Sequence, residues 1–315
     1  MISSSSVPGT GRLYPLAATA LAGILVLTGC SGTDSPAADA DSGPDRSFDV
    51  SGIERVDDIA ALLPDAIRED GKLVIGASID YAPAEFRADD LQTAIGYDVD
   101  LGKALGRVLG LETEVSAAEF ASILPGIGST YDVGISSFTI TEERLASYTM
   151  VSYISVGSSY GVKAGNDVGF DPDDVCGSSI AVQTGTYQEE ELTAFTAECT
   201  AAGNEEIDIL KFGSQSDVTT NVVGGKADAM YADSTVSSYA VALTEDQIDV
   251  VGGVRDAAPQ GIVVPKDDEQ LADAIQQALQ HLMDEGTWED ILESWGTRDS
   301  ALTTAEVNPE LNPES

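Results

Sequence analysis

Apolar and polar positions along this chain switch between two periods, and the switches mark its elements. "KLVIGAS" (Lys72 to Ser78) is a short apolar run of strand length. In "GYDVDLGKALGRVLGL", Leu101, Ala104, Leu105, Val108 and Leu109 share one helical face, with Asp98 or Asp100 near its start. "TEVSAA" predicts the next strand, "FASILPGI" a short helix cut by Pro125, and "YDVGIS" a third strand. This βαβαβ order implies a parallel sheet with helices on both faces. A second series follows: "SSIAVQT" (Ser178 to Thr184) as strand, "TYQEEELTAFTAEC" as helix, "IDILKF" as strand, "QSDVTTNVVGG" as helix and "ADAMYAD" as strand. The chain returns through "PQGIVVPKD" to the amphipathic "EQLADAIQQALQHLMDEG" and a last segment, "WEDILESWG". Two α/β units with a late return strand predict two lobes joined by extended crossings near Gly157 and Ala257.

The ends of the chain follow other patterns. Arg12 precedes an apolar run of about sixteen residues, Leu13 to Thr28. That is shorter than the roughly 20 needed to span a bilayer, so residues 1–29 read as a signal peptide. The run ends in "LTGC", Leu27 to Cys30, which resembles the bacterial lipobox and implies acylation of Cys30. Residues 30–52 begin with Ser, Gly, Asp, Ala and Pro and read as a flexible tether. The body is then expected as residues 53–156 in lobe 1, 157–255 in lobe 2 and 256–300 back in lobe 1. Residues 301–315, rich in Pro, Glu and Asn, read as a loose tail. With Cys30 assigned to lipid, Cys176 and Cys199 form an even pair, which in an exported chain reads as a disulfide; buried free thiols are the alternative. Two cysteines and the single His281 make no metal-ligand set, so no metal is expected.

Charge narrows the partners. The chain carries 54 acidic and 15 basic residues, a formal net charge of −39. This argues against nucleic acid and against electrostatic attachment to anionic lipid. A highly soluble extracytoplasmic protein, or one adapted to salt, fits better. A length of 315 residues is enough for two cores.

Ligands of open α/β sheets bind off the carboxyl ends of strands. The informative stretches are therefore "SIDYAPAEF", "SSFTITEER", "QTGTYQEE" and "YADS", each just past a predicted strand. With the "GYDVDL" helix start and the terminal "GTWEDILESWG", this ordered set resembles the amino-acid-binding solute receptors of bacterial ABC importers, extracellular solute-binding proteins of family 3. The resemblance runs from Lys72 to about Gly296. It implies an α/β, two-lobed periplasmic-binding-protein type II fold. Each lobe is then a mostly parallel sheet flanked by helices, and a two-strand hinge joins them. It also implies a monomeric, lipid-anchored receptor on the outer face of the cell membrane. Such a receptor captures an amino acid and delivers it to an importer permease, without a cofactor or nucleic acid.

The resemblance assigns roles that side-chain chemistry supports. Arg144 offers a planar fork suited to a carboxylate, whereas its alternative is a surface pair with Glu142 or Glu143. Ser137 and Thr139 can supply a hydroxyl, an N–H and a carbonyl to a zwitterion, and Thr139-x-x-Glu142 also fits a capping box. Gly185 permits close backbone approach, Thr186-x-x-Glu189 fits a second capping box, and the Tyr187 amide at that helix start suits a carboxylate. Asp233 matches the partner of the α-ammonium, or else caps the following helix. Tyr81 and Phe120 match aromatic faces of the ligand pocket, or else ordinary core. Ser78 and Gln183 occupy positions that select the side chain. Ser78 stands where several relatives have an aspartate, and Ala84 replaces the usual aromatic of "APFEF". Serine and glutamine with no second charge favour a polar, uncharged side chain. The competing classes are a cyclohexadienyl (arogenate/prephenate) dehydratase-like enzyme on the same fold and an extracellular amino-acid sensor domain. A nucleophilic triad is excluded, because His281 falls on a helix far from these motifs.

Overall fold

The structure, a computed structural model, describes residues 46–311. The signal segment, Cys30, and the tether up to residue 45 lie outside the described residues.

Two short helices, α1 (Asp57–Ala60) and α2 (Asp65–Asp70), lead into β1 (Lys72–Ala77). A hairpin of β2 (Phe86–Arg87) and β3 (Ala94–Ile95) precedes α3 (Tyr97–Leu109), which stops at Gly110 in the left-handed region, φ +72. β4 (Glu112–Ala117), α4 (Phe120–Gly126), β5 (Val133–Gly134) and α5 (Glu142–Ser147) complete the first unit. β1 pairs in parallel with β4 and β5, as the βαβαβ pattern predicts. β6 (Tyr148–Lys163) then carries the chain into the second unit. That unit contains β7 (Ser179–Gln183), α6 (Tyr187–Ala202), β8 (Asp208–Phe212), α7 (Gln215–Val223), β9 (Ala229–Asp233) and α8 (Ser234–Leu243). β10 (Ile248–Pro265) returns the chain to α9 (Glu269–Asp284) and α10 (Thr287–Ser294).

The strands are hydrogen-bonded in the order β4-β1-β5-β10-β6-β9-β7-β8. β6 and β10 are an antiparallel pair that serves both lobes. Val263 of β10 pairs with Gly134 of β5, while Ser158–Val162 of β6 pairs with β9. The β6–β10 register slips between Val251 and Arg255 and again between Arg255 and Ala258. Opposite that break lies Gly157, where a Cβ would sit 2.3 Å from the Arg255 carbonyl oxygen. Only a glycine lets the two strands approach so closely there. The expected mostly parallel lobes joined by a two-strand hinge are thus present, with the hinge strands themselves long antiparallel members of both.

Each lobe has its own core. In lobe 1, Leu73, Ile75, Leu105, Ile275, Trp288 and Trp295 pack together. In lobe 2, strand alternation splits the apolar residues between two faces. Val182 and Tyr231 meet Tyr160 and Leu192 on one face, and Ala181 and Met230 meet Val218 and Val222 on the other. The Cys176–Cys199 disulfide, bridging a sequence separation of 23, ties α6 to the loop before β7.

Two expected boundaries are corrected. The tether does not extend to residue 52: Phe48 N–H donates to Asp100 Oδ2 at 2.9 Å, and Phe48, Val50 and Ile53 pack on the lobe 1 core. Nor are residues 301–311 loose. Leu302 N–H donates to the Tyr153 carbonyl (3.3 Å), Ser152 N–H to the Glu306 carbonyl (2.9 Å) and Asn308 N–H to the Met150 carbonyl (2.8 Å). The Asn308 side chain accepts from Met150 N–H at 2.9 Å, and Ala305 is buried. This segment covers the edge of β6 that β9 does not reach. Its Pro-, Glu- and Asn-rich composition concealed the role because the contacts are mostly made by backbone, to which composition is blind.

Truncation after Ser300 should therefore bare a strand edge and remove these bonds, a loss of roughly 2–4 kcal/mol at about 1 kcal/mol each. Urea unfolding and light scattering should show a lower midpoint and self-association. An unchanged midpoint would restore the loose tail.

Candidate functional site

The start of α5 sets the position of Arg144. Thr141 is the N-cap, its Oγ1 accepting from Arg144 N–H at 3.2 Å. The cap expected at Thr139 is thus displaced by two residues, and Thr139 instead bridges to Gln260 in extended conformation. This phase leaves Glu142 and Glu143 exposed and turns Arg144 inward, 6% exposed. The surface ion pair with those glutamates does not form. Arg144 Nη1 donates to the Thr139 carbonyl at 2.6 Å, and Nη2 donates across the cleft to the Gly185 carbonyl at 3.1 Å. Its guanidinium carbon lies 5.9 Å from the Phe120 ring centroid and 5.7 Å from that of Phe138, two rings stacked at 4.7 Å. Among the described residues, no carboxylate lies within ion-pair distance of this cation. Burial pushes its pKa down, opposed chiefly by the charges of Glu190 and Asp233. A desolvated cation satisfied only by neutral carbonyls and ring faces is chemically suited to accept an anion.

Asp233 is the counterpart. It ends β9 and is 2% exposed. It occupies the N-cap position of α8, yet its side chain makes no capping bond. Instead Oδ1 accepts from Gln188 Nε2 at 2.8 Å and Oδ2 from Gln260 Nε2 at 2.7 Å, while its own N–H donates to Tyr81 Oη at 3.2 Å. Burial pushes the carboxyl up to about 6, and the two amide donors oppose that rise. Gln188 and Gln260 are absent from the sequence-based site. The available signal was weak: a glutamine beside the apolar run of "PQGIVV", and another directly after Tyr187.

The remaining candidates fall around these two. Gly185 has φ +83, and a Cβ on it would lie 3.1 Å from Ala121 Cβ of the other lobe, so the expected close approach is present. The Thr186 capping box forms with a variation. Thr186 Oγ1 accepts from Glu189 N–H at 3.3 Å, but the Glu189 carboxylate reaches back to Gly185 N–H at 2.6 Å. Tyr187, partly exposed, is the first residue of α6, where helix geometry leaves N–H groups outside the ladder. Gln183 Nε2 contacts Ser78 Oγ across the cleft at 3.4 Å, and Ser78 Oγ donates to Asp80 Oδ1 at 3.0 Å. Ser137 departs from expectation. Its φ of +49 turns its N–H (2.8 Å) and hydroxyl (3.3 Å) toward Asp98 Oδ2, inside lobe 1. Those two donors therefore serve the lobe rather than the cleft.

The architecture agrees with what similarity shows. Residues 73–298 match the bacterial extracellular solute-binding proteins, family 3. The chain belongs to this family. This family 3 protein is 35% identical over 255 residues to the arginine-binding protein ArgT of Corynebacterium glutamicum, covering 80% of this chain and 83% of that one. The P235GK mutant of ArgBP from T. maritima superposes with a TM-score of 0.67 at 30% identity, covering 73% of this chain and 97% of that one. The ancestral amino acid-binding protein AncCDT-1, a precursor of cyclohexadienyl dehydratase, gives 0.66 at 29%, covering 75% and 99%. The fold and family expected from the sequence therefore hold.

The raised Asp233 pKa fixes a sign. Stability linked to its protonation is complete below pH 3.8 and lost as pH rises through about 6. Asp233→Asn never ionises, so in the ligand-free protein it should gain on wild type by about 1.4 kcal/mol from pH 5 to pH 8. Urea unfolding at the two pH values reads the difference. An equal difference at both would contradict the buried carboxylate.

Proposed function

We propose that this protein is an extracytoplasmic receptor that closes on a free α-amino acid and delivers it to an ABC importer. The observation that carries the reading is the pairing of a buried guanidinium, with no carboxylate partner among the described residues, with a separately buried carboxylate. In this reading Arg144 and the Tyr187 amide, from opposite lobes, take the ligand carboxylate. Asp233 takes the ammonium, Tyr81 and Phe120 flank the ligand, and Thr139 and Gly185 hold the arginine fork in place. A zwitterion so held leaves little net charge buried. The lobes move about the crossings near Gly157 and Ala257, where glycine contact and register breaks interrupt the ladder. The dehydratase alternative needs a protonated acid at the ligand, whereas Asp233, raised by burial only to about 6 and accepting from two amide donors, is mostly charged at pH 7.

For the side chain we favour a polar, uncharged group, recognised by Ser78 and Gln183. Gln183 Oε1 is buried without a partner, as an acceptor for such a group would be. A second reading, a cationic side chain, is favoured by Asp80, whose Oδ2 is likewise buried and unpartnered beside Ser78, and by the arginine named for the relatives. Acylation of Cys30 would hold the receptor at the membrane surface. Intact mass of membrane-extracted protein should show the lipid and its loss in Cys30→Ser, and an unmodified mass would refute the anchor.

Calorimetry tests the core of the reading, with glutamine, serine and arginine separating the side-chain classes. Arg144→Ala should lose roughly 2–5 kcal/mol of binding, about 30-fold or more, with its fold intact. Arg144→Lys should recover part, since a point charge cannot replace the fork. Wild-type affinity in a folded Arg144→Ala would remove the arginine from the site.

A further inference from the structure

Beneath the ligand face of lobe 1 lie two carboxylates that the binding scheme does not use. Glu85 is 0% and Asp98 1% exposed. Asp98 Oδ2 accepts from Ser137 N–H, Ser137 Oγ and Tyr153 Oη, the last at 3.0 Å. Glu85 Oε1 accepts from Ser136 Oγ, which in turn accepts from Ser78 N–H at 3.0 Å. The other oxygens, Glu85 Oε2 and Asp98 Oδ1, are buried with no further partner. No lysine or arginine pairs with either carboxylate among the described residues. The titratable groups facing the pair are Tyr81, Tyr97 and Tyr153, with Asp80 the next carboxylate and Asp233 beyond the tyrosines.

The Glu85 and Asp98 side chains lie within hydrogen-bond reach of each other, and two such carboxylates with no cation cannot both ionise at this burial. One proton between the two unpartnered oxygens resolves the conflict. It leaves Asp98 Oδ2 charged toward its three donors and makes Glu85 the acid. We propose that Glu85 and Asp98 share a single proton, and that this bridged pair is the positioning element for the loops carrying Ser78 and Ser137. Burial and the neighbouring charge of Asp98 push Glu85 well above the usual carboxylate range, in keeping with this assignment. The pair fixes the ends of β1 and β5 from behind: through Ser136 it holds the Ser78 amide, and directly it holds Ser137 in its left-handed conformation. Neither acid touches the ligand. The functional half of this inference rests on the amino-acid-binding reading.

The proton and the positioning have separate tests. A carboxyl that stays protonated in the folded state and ionises when unfolded makes stability fall as pH rises above its unfolded value. Glu85→Gln keeps a hydrogen-bond donor toward Asp98 but cannot ionise. In ligand-free protein, the ratio of wild-type to Glu85→Gln unfolding constants should rise about tenfold per pH unit between pH 6 and 8. A ratio independent of pH overturns the shared proton. For positioning, Ser136→Ala cuts the link to Ser78 while leaving the acid pair in place. It should keep the wild-type dependence of stability on pH but weaken amino-acid binding roughly tenfold, on the scale of one lost buried hydrogen bond. Glu85→Gln should bind within about threefold of wild type at pH 7, because the amide preserves that bond. Full affinity in Ser136→Ala overturns the positioning role. If wild type binds no amino acid at all, the receptor reading falls, while the unfolding ratio still decides the shared proton.

Discussion

The cleft depends on keeping one buried cation and one buried anion apart. Arg144 is satisfied by the carbonyls of Thr139 and Gly185 and by two aromatic faces; Asp233 is satisfied by the amides of Gln188 and Gln260. Each group is thus solvated by neutral dipoles instead of by the other. A direct ion pair would be quieter energetically, but it would leave nothing for a ligand to complete. The separation costs stability in the unliganded protein, and in the proposed reading a bound zwitterion relieves it at both ends. This is why the local start of α5 matters. Capping at Thr141 rather than at Thr139 rotates Arg144 from solvent into the cleft.

The long strands place that polarity where the lobes meet. Ser158 of β6 pairs with Asp233, and Gln260 of β10 reaches the same carboxylate, so this buried anion is held by the hinge strands themselves. Movement at the register breaks near Arg255 would change the surroundings of Asp233 directly. Local dipoles also answer the problem posed by the overall charge of −39. An acidic exterior repels an α-carboxylate, and in the proposed reading the desolvated Arg144 with oriented amides overcomes that at short range.

Much of this was legible in the sequence, for identifiable reasons. α3 and α9 carry an apolar helical face and β1 and β7 are short apolar runs, while "SSFTITEER" and "YADS" single out Arg144 and Asp233, both buried, because each lies just past a strand. β6 and most of β10 were not read. "YTMVSYISVGSSYGVK" is buried on both faces and alternates nothing, and "IDVVGGVRDAAPQGIVVP" is broken by Gly-Gly and Pro at the hinge itself. Ser137 was read as a cleft donor because its hydroxyl is visible in the sequence, whereas its left-handed backbone is not. Gln188, Gln260, Glu85 and Asp98 matter through partners far away in the chain, which one-dimensional spacing does not carry.

The most direct measurement is a thermal-shift comparison of the tightest-binding amino acid with two analogues, its decarboxylated amine and its N-acetyl derivative. Recognition of both ends of a zwitterion predicts a rise in melting temperature with the amino acid, and none with either analogue at equal concentration. An equal rise with the amine would show that Arg144 does not hold the carboxylate. An equal rise with the N-acetyl form would show that Asp233 does not hold the ammonium.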